Sequence, residues 1–519
     1  MTTLPFDLPV VVDRASAVPL AVQISAQLLD AVVGGVLRAG DRLPSSRDLA
    51  ATLGVSRTVV TNAYARLFAE GWLEGRHGSG TYVADVTPPR PSGSPRPNHA
   101  PVGERGLASV TADVHGDTER FRVAPSRPIS LPGSPLPDPP VAPPGLIDLQ
   151  PGMSWAEGIE PAVWRRAWRH AGAHLPSRWP DPYGLPELRE EIAAYLRRSR
   201  GLAVTPAQVL VTQGVSSGLA LLADALLSPG DKVGVEEPGF ATGREVLRRA
   251  GARVVSCRVD AHGILPEGLP GDLKLLYTTP AHQYPLGGRL PVSRRQALIA
   301  WARATGALVV EDDYDSEFRY DVGPLPALHS MDPEVIVYLG TASKVLATAF
   351  GAGWLVAPPA LVDKLAALRP RLGARIPEPV QHAMLALLRS GDLERHVRKM
   401  RLEYARRRAA LVDGLTHAER AAGCNPGADG HRTGEAGVVP FRLLGDTAGL
   451  HVVLELPDDF PVARLIDAAA ERGVAVYPLD RYFAGPPTIS GLILGYGTAT
   501  LPQVRRAAAE LGRLLTSLP

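Results

Sequence analysis

Residues 334–347 read EVIVYLGTASKVLA. A β-branched, apolar run ends at a turn of small residues, and a single lysine, Lys344, follows a serine there. Such a run, bounded by turn residues, reads as a buried strand. A bare Ser-Lys pair is most often a surface lysine opening a helix, so the surroundings must decide what Lys344 is for. Five runs of the same kind come before it: QVLVTQG (208–214), DKVGVEEP (231–238), ARVVSCRV (252–259), LKLLYTTP (273–280) and ALVVEDDY (307–314). Amphipathic stretches lie between several of them, among them SSGLALLADALLS (216–228) and SRRQALIAWARATG (293–306). Alternation of this kind predicts a mostly parallel sheet covered by helices, an α/β domain whose ligands sit at the carboxyl ends of the strands.

The chemically unusual residues fall at those ends. In VTQGVSSG (211–218) a strand runs through small residues into a helix. Backbone N–H groups at such a helix start attract anions, and Gly214, Ser216 and Ser217 leave room for a phosphate. EEPGF (236–240) ends in Phe240, which can cover a planar ligand or simply fill the core. The acids of VVEDDYDSEFRY (309–320) end an apolar strand and are costly there unless something cationic meets them. Asp312 can pair with a protonated ring nitrogen, and Tyr314 can hydrogen-bond a ring phenolate. A lysine amine is nucleophilic when burial or cationic neighbours lower its pKa. A phosphate turn, a pyridinium partner and a lysine are together what a Schiff base with pyridoxal phosphate requires.

Bulk properties set limits on this reading. The chain has 519 residues, 45% hydrophobic and 21% charged, with a net charge of +2. That is globular composition with room for two or three domains, and any basic surface must be local. Cys257 and Cys424 make no disulfide framework and show no metal-ligand spacing, so no metal is expected. The N-terminus lacks the basic and apolar regions of a signal peptide, and no apolar run reaches membrane-spanning length. The expected setting is cytoplasmic, with no membrane partner.

Residues 88–144 hold 15 of the 50 prolines, among Gly, Ser and Arg, which predicts a semi-extended linker. The expected domains are therefore 1–84, a linker at 85–146, and 147–519. In the first, VPLAVQISAQLLDAVVGGVL (18–37) reads as an amphipathic helix. Ser45 or Ser46 can cap a short helix over 46–53, Gly54 turns the chain, and Ser56 can cap a third helix reaching about Ala69. Two short strands, WLEG and GTYVA, enclose RHGSG. This is a winged helix-turn-helix. Its third helix exposes Arg57, Thr58, Thr61 and Asn62 where a recognition helix meets base edges, and Arg and Asn are side chains that read guanine and adenine. Ser45 and Arg47 lie on the helix before it. Arg76 and His77, on the glycine-rich wing, can approach phosphates or the minor groove. The implied partner is double-stranded DNA.

RAGDRLPSSRDLAATLGVSRTVVTNAYARLFAEGWLEGRHGSGTYV (38–83) resembles the winged helix of the GntR family almost throughout. Residues from about 147 to 517 look like a fold-type I aminotransferase. With YTTPAHQYPLGGRLPVSRRQALIAWA, VVEDDYDSEFRY and GDLERHVRKMRLEYARRRAALVDGL, the whole chain resembles the MocR family of pyridoxal-phosphate-dependent transcriptional regulators. The resemblance implies that Lys344 forms the Schiff base, that Asp312 holds the ring nitrogen and that Tyr314 holds the ring oxygen. It implies further that Phe240 stacks on the ring, that Gly214, Val215, Ser216 and Ser343 line the phosphate pocket, and that His282 and Gln283 lie near the ring. It also implies a head-to-tail homodimer, and an effector that is pyridoxal phosphate or an amino compound. Against the family pattern, Thr348 and Gly351 stand where a proline and a phosphate-binding arginine are usual, and Trp179 stands for a tyrosine. Ile493 takes the place of the arginine that clamps a substrate carboxylate. A bidentate clamp of that kind carries much of amino-acid specificity, so its absence disfavours ordinary transamination. The expected function is a DNA-binding regulator that senses through an aminotransferase-like domain; the alternative is a working aminotransferase with a DNA-binding appendage.

Overall fold

The computed structural model describes residues 10–14, 19–33, 36–38, 40–69, 72–76, 80–84, 142–320, 326–421, 425–426, 432–433, 439–445 and 448–517. In the N-terminal part, α1 (Leu20–Val33), α2 (Ser46–Leu53) and α3 (Arg57–Ala69) pack together. A three-stranded antiparallel sheet lies in the order β1 (Arg42–Leu43), β3 (Gly80–Val83), β2 (Leu73–Arg76). The spans of α2 and α3 follow the sequence reading, and α1 falls within the stretch 18–37 read as a helix. The strand β1 was not expected, because two residues are too few to show a period. Ile24, Leu28, Leu49, Val60, Ala63, Leu67 and Trp72 bury the apolar faces in one core. The Ser45 hydroxyl accepts the Asp48 N–H at 3.2 Å and donates to the Asp48 carboxylate at 2.7 Å, which fixes the start of α2. Gly54 ends that helix at φ +63°, a conformation that strains any residue with a Cβ.

The large domain begins with β4 (Ile147–Asp148), α4 (Pro161–Gly172) and α5 (Pro186–Arg200). Then follow β5 (Val209–Thr212), α6 (Val215–Leu226), β6 (Lys232–Glu237), α7 (Ala241–Arg249), β7 (Arg253–Asp260), β8 (Gly263–Ile264) and β9 (Leu275–Thr278). They are succeeded by α8 (Val292–Thr305), β10 (Leu308–Asp313), β11 (Ile336–Thr341), β12 (Gly353–Val356), α9 (Pro359–Leu368), α10 (Glu378–Arg389) and α11 (Asp392–Ala421). Strands β5 to β12 form one sheet in the order β5-β12-β11-β10-β9-β6-β7-β8. The pairs β11·β10, β10·β9, β9·β6 and β6·β7 are parallel, whereas β12 runs antiparallel to both of its neighbours. All six strand-like runs are strands of this sheet. The reversed strand GWLV, Gly353–Val356, was not among the runs read from the sequence. Helices cover the sheet, with Leu219 and Leu222 of α6 and Leu365 of α9 fully buried against it. Each such side chain stabilises by about 1.5–3 kcal/mol. A second, four-stranded antiparallel sheet follows, with strands Arg442–Leu444, His451–Leu456, Ser490–Gly495 and Tyr477–Pro478 in that spatial order. The carboxyl ends of β5, β6, β9, β10 and β11 lie on one edge of the main sheet, and the chemically unusual residues stand there.

Candidate functional site

Strand parity sorts the acid run of β10 into two sets. Glu311 and Asp313 share one face, and Asp312 has the other. The buried carboxylate of Glu311 accepts the backbone N–H groups of Leu328 and His329, both at 2.8 Å. Burial, with Asp313 close by, still holds its pKa up at about 7. Asp313 pairs with Arg200 of α5 at 2.5 Å, both side chains 1% exposed, and takes a hydrogen bond from Tyr338 at 2.8 Å. These two acids hold the scaffold together. A buried pair of this kind costs about 3–5 kcal/mol when one partner is removed.

Asp312 is different. Its Oδ2 accepts the Tyr277 hydroxyl, and its Oδ1 is buried with no hydrogen-bond partner among the described residues. Burial raises its pKa to about 7, with Asp313 and Asp315 raising it further and Tyr277 and Lys344 opposing. A buried acceptor without a partner is costly, and a protonated ring nitrogen would satisfy it. Lys344, at the end of the adjacent strand β11, points its amine at the Gly152 carbonyl. Burial lowers its pKa, against the pull of Asp315 and Asp312. Gly152 has φ +71°, and a Cβ there would stand 3.4 Å from Lys344 Nζ, so glycine both makes the turn and leaves the amine its place.

The remaining expected residues stand on neighbouring elements of the same domain. Phe240 opens α7, with its ring 6.4 Å from Tyr277 and 6.1 Å from Tyr284. Gly214 opens α6 at φ 126°, and no side chain caps that helix, so its first-turn N–H groups remain available beside Val215 and Ser216. The Ser343 N–H bonds Thr341 Oγ1 at 3.0 Å, and Ser154 bonds the Ser343 carbonyl at 3.0 Å, fixing the turn that carries the lysine. The Tyr314 hydroxyl lies 3.0 Å from His282 Nδ1, which is also 3.0 Å from Asp315 Oδ2. His282 Nε2 is buried without a partner among the described residues. Gln283 is fully engaged elsewhere. Its amide donates to Glu236, the Pro238 carbonyl and the Tyr284 carbonyl, and its oxygen accepts Leu286 N–H, so it braces the loop after β6. Glu236, buried, also accepts from Thr278 and Thr279. Gly449, two residues before the strand His451–Leu456 of the second sheet, packs against His282 and Asp315. A Cβ there would fall 2.3 Å from His282 and 2.5 Å from Asp315, at φ +79°. Tyr277, Gly152, Ser154 and Gly449 were missed from the sequence; of these only Tyr277, at the end of a recognised strand, gave a signal.

The departures also have structural counterparts. Gly351 closes the 3-10 turn Thr348–Phe350 at φ +64°, with open space where its side chain would be. Ile493 is 0% exposed, packed with Leu286, Val453, Tyr477, Leu479, Tyr482 and Phe483. Trp179 is 80% exposed.

On the N-terminal part, Arg47, Arg57, Thr58, Thr61 and Asn62 are all exposed, while Val60, Ala63, Tyr64 and Leu67 of the same helix face inward. Arg57 Nε donates to Ser46 Oγ at 3.3 Å, tying α3 to the start of α2. Arg76 lies in β2, but its side chain and all of His77 fall outside the described residues. No helix among the described residues is long and apolar enough to cross a membrane.

Residues 20–83 match the family model for bacterial regulatory proteins of the gntR family, and residues 155–479 match that for aminotransferase class I and II. The HTH-type pyridoxine biosynthesis transcriptional regulator PdxR of Corynebacterium glutamicum is 35% identical over 510 residues, 97% of this chain and 98% of that protein. The probable rhizopine catabolism regulatory protein MocR of Rhizobium meliloti is 32% identical over 499 residues, covering 94% and 92%. Among solved structures, an archaeal alanine:glyoxylate aminotransferase superposes with a TM-score of 0.63 at 25% identity, over 71% of this chain and 90% of that one. Thermus thermophilus aspartate aminotransferase gives 0.61 at 25%, over 71% and 92%. The chain belongs to the MocR-type branch of the gntR-family DNA-binding transcriptional regulators, with a pyridoxal-phosphate-binding domain of the aminotransferase class I and II fold.

Proposed function

We propose that the protein adjusts transcription by sensing pyridoxal phosphate itself in its large domain, rather than by turning over an amino acid there. When bound, the cofactor supplies an aldehyde that condenses with amines and a pyridinium ring that accepts electrons. Lys344 would supply the amine and Asp312 the acceptor for the ring-nitrogen proton. Tyr314 would donate to the phenolic oxygen and Phe240 would cover the ring. Gly214, Val215, Ser216 and Ser343 would hold the phosphate. Asp315 orients His282, which in turn holds the Tyr314 hydroxyl at the site. The single observation that carries sensing over turnover is Ile493, sealed at 0% exposure inside an apolar cluster where a substrate-clamping arginine stands in aminotransferases.

On the DNA side, Arg57, Thr58, Thr61 and Asn62 read base edges, while Ser45, Arg47, Arg76 and His77 position the unit on the backbone. A head-to-tail homodimer would present two such units to a repeated or palindromic operator, mirroring its two-fold symmetry. A regulator of this kind works in the cytoplasm, where the chromosome is. The domain limits 1–84, 85–146 and 147–519 are part of this proposal.

The test is an absorption titration of cofactor-stripped protein with pyridoxal phosphate, paired with operator binding at each point and followed by a panel of amino acids. Operator affinity should track cofactor occupancy, and the spectrum should not cycle with any amino acid. Steady conversion of an amino acid and a keto acid would instead establish the working aminotransferase. Operator affinity indifferent to the cofactor would exclude it as the signal.

A further inference from the structure

Three histidines, remote from one another in part of the sequence, meet where α4 packs on α10. His170 stands in the last turn of α4, and His174 lies two residues beyond the end of that helix. His382 comes from α10. Each offers a ring nitrogen, and these nitrogens lie within 4.8 Å of one another. The His174 and His382 rings stack at 4.0 Å and 14°, and the His170 ring stands 4.7 Å from His174.

Stacked imidazoles alone could serve as packing between two helices. Two observations favour a ligand. First, the His382 Nδ1 is buried and has no hydrogen-bond partner among the described residues, a condition packing does not reward. Second, His174 Nδ1 lies 2.8 Å from the His170 carbonyl. As a donor there, it fixes the tautomer in which Nε2 presents its lone pair, the arrangement usual for a metal-bound histidine. His382 comes from the facing helix, so the three rings bridge two elements. The acids Glu378 and Glu187 act on the same ring and add negative potential.

We infer that His170, His174 and His382 form a site for one late first-row divalent metal ion, of the zinc, nickel or copper class. Imidazole nitrogens suit these ions, whereas magnesium and calcium prefer oxygen. Bonds of about 2.0–2.1 Å in a tetrahedron place ligand nitrogens about 3.3 Å apart, and because an ion lies in the plane of each imidazole, the stacked His174 and His382 rings must turn out of their stack to close on it. Three nitrogens leave a fourth position for water or another donor. Loading would fasten the end of α4 to α10 and hold the segment between α4 and α5, which carries Trp179 and whose Ser177 N–H already bonds Glu378 at 2.6 Å.

The experiment uses the tag-free, full-length protein stripped with a chelator. Zinc is titrated by calorimetry, and cobalt is followed by its visible ligand-field bands. One equivalent per chain should bind, with the band intensity of a tetrahedral site. His174→Ala, at an exposed position that tolerates truncation, and His382→Gln should each weaken binding by no less than the roughly 10–100-fold that follows loss of a residue merely hydrogen-bonded to a metal ligand. His262→Ala, at an exposed histidine elsewhere, should change nothing. Absence of binding at micromolar zinc, or binding that survives both variants undiminished, would overturn the assignment. So would loss of binding in His262→Ala.

Discussion

Replacing Asp312 with asparagine should change how the stability of the cofactor-free protein depends on pH. The carboxyl titrates at about 7 in the folded chain, chiefly through burial, against an ordinary 3.8. Between those values the folded state keeps a proton that the unfolded state has released. Stability therefore falls as pH rises through the window and is flat above it. At pH 8 the whole difference is felt, on the order of 4 kcal/mol at 1.36 kcal/mol per pH unit. At pH 5.5 only the part above 3.8 is felt, about 2 kcal/mol. Asparagine does not titrate, so it removes this slope. Its amide adds an unsatisfied donor costing about 1–3 kcal/mol, but that cost is the same at both pH values and cancels. Urea unfolding of stripped parent and variant should show the variant gaining about 2 kcal/mol on the parent between pH 5.5 and 8. Adding pyridoxal phosphate should reverse the order at pH 8, because only the carboxylate can pair with the ring nitrogen. Parallel stability curves for the two stripped proteins would refute the argument, since Asp312 would then already be ionised by a partner in the empty site.

Lys344→Ala should abolish the near-visible absorbance of the loaded protein while leaving it folded, as read by a spectrum and a thermal melt; an unchanged spectrum would move the reactive amine elsewhere. Gly449→Ala forces a Cβ onto His282 and Asp315 at a positive φ. It should cost about 3 kcal/mol in urea and loosen cofactor binding with it, whereas a neutral outcome would mean that the second sheet yields freely there. Arg57→Ala should cost about 1–3 kcal/mol of operator binding and relax preference at one base position, and Arg76→Ala should weaken specific and scrambled duplexes alike while reducing the salt slope by about one charge per half-site. Equal losses for both variants on both duplexes would remove the base-reading role of Arg57.

Both parts of the architecture could be read from the sequence because each repeats a strong period. Six apolar runs between amphipathic stretches leave few alternatives to a covered parallel sheet. Lys344 and Asp312 stood out for a related reason, since charged groups ending buried strands need a partner. The contacts that depend on sheet register could not be read in this way. Tyr277 pairs with Val310 in the ladder, and only that alignment brings its hydroxyl diagonally to Asp312 on the same face. Gln283 was expected near the ring, but its partners, Glu236 and two carbonyls, could not be named in advance, because two of them lie 45 and 47 residues away in sequence. The cluster of His170, His174 and His382 depends on how α4 and α10 meet, and neither helix carries a pattern that announces it.

The division of β10 into a scaffold face and a ligand face has a genetic corollary. In a screen for mutants that misregulate a reporter, substitutions at Glu311, Asp313 and Arg200 should be recovered as depletion alleles, with the protein degraded and the phenotype rescued by overexpression. Substitutions at Asp312 should be recovered as allele-specific signalling defects, with normal abundance, no rescue by dosage, and dominance over the wild type wherever mixed oligomers form. Neighbouring codons would thus yield opposite classes of allele, alternating along one strand.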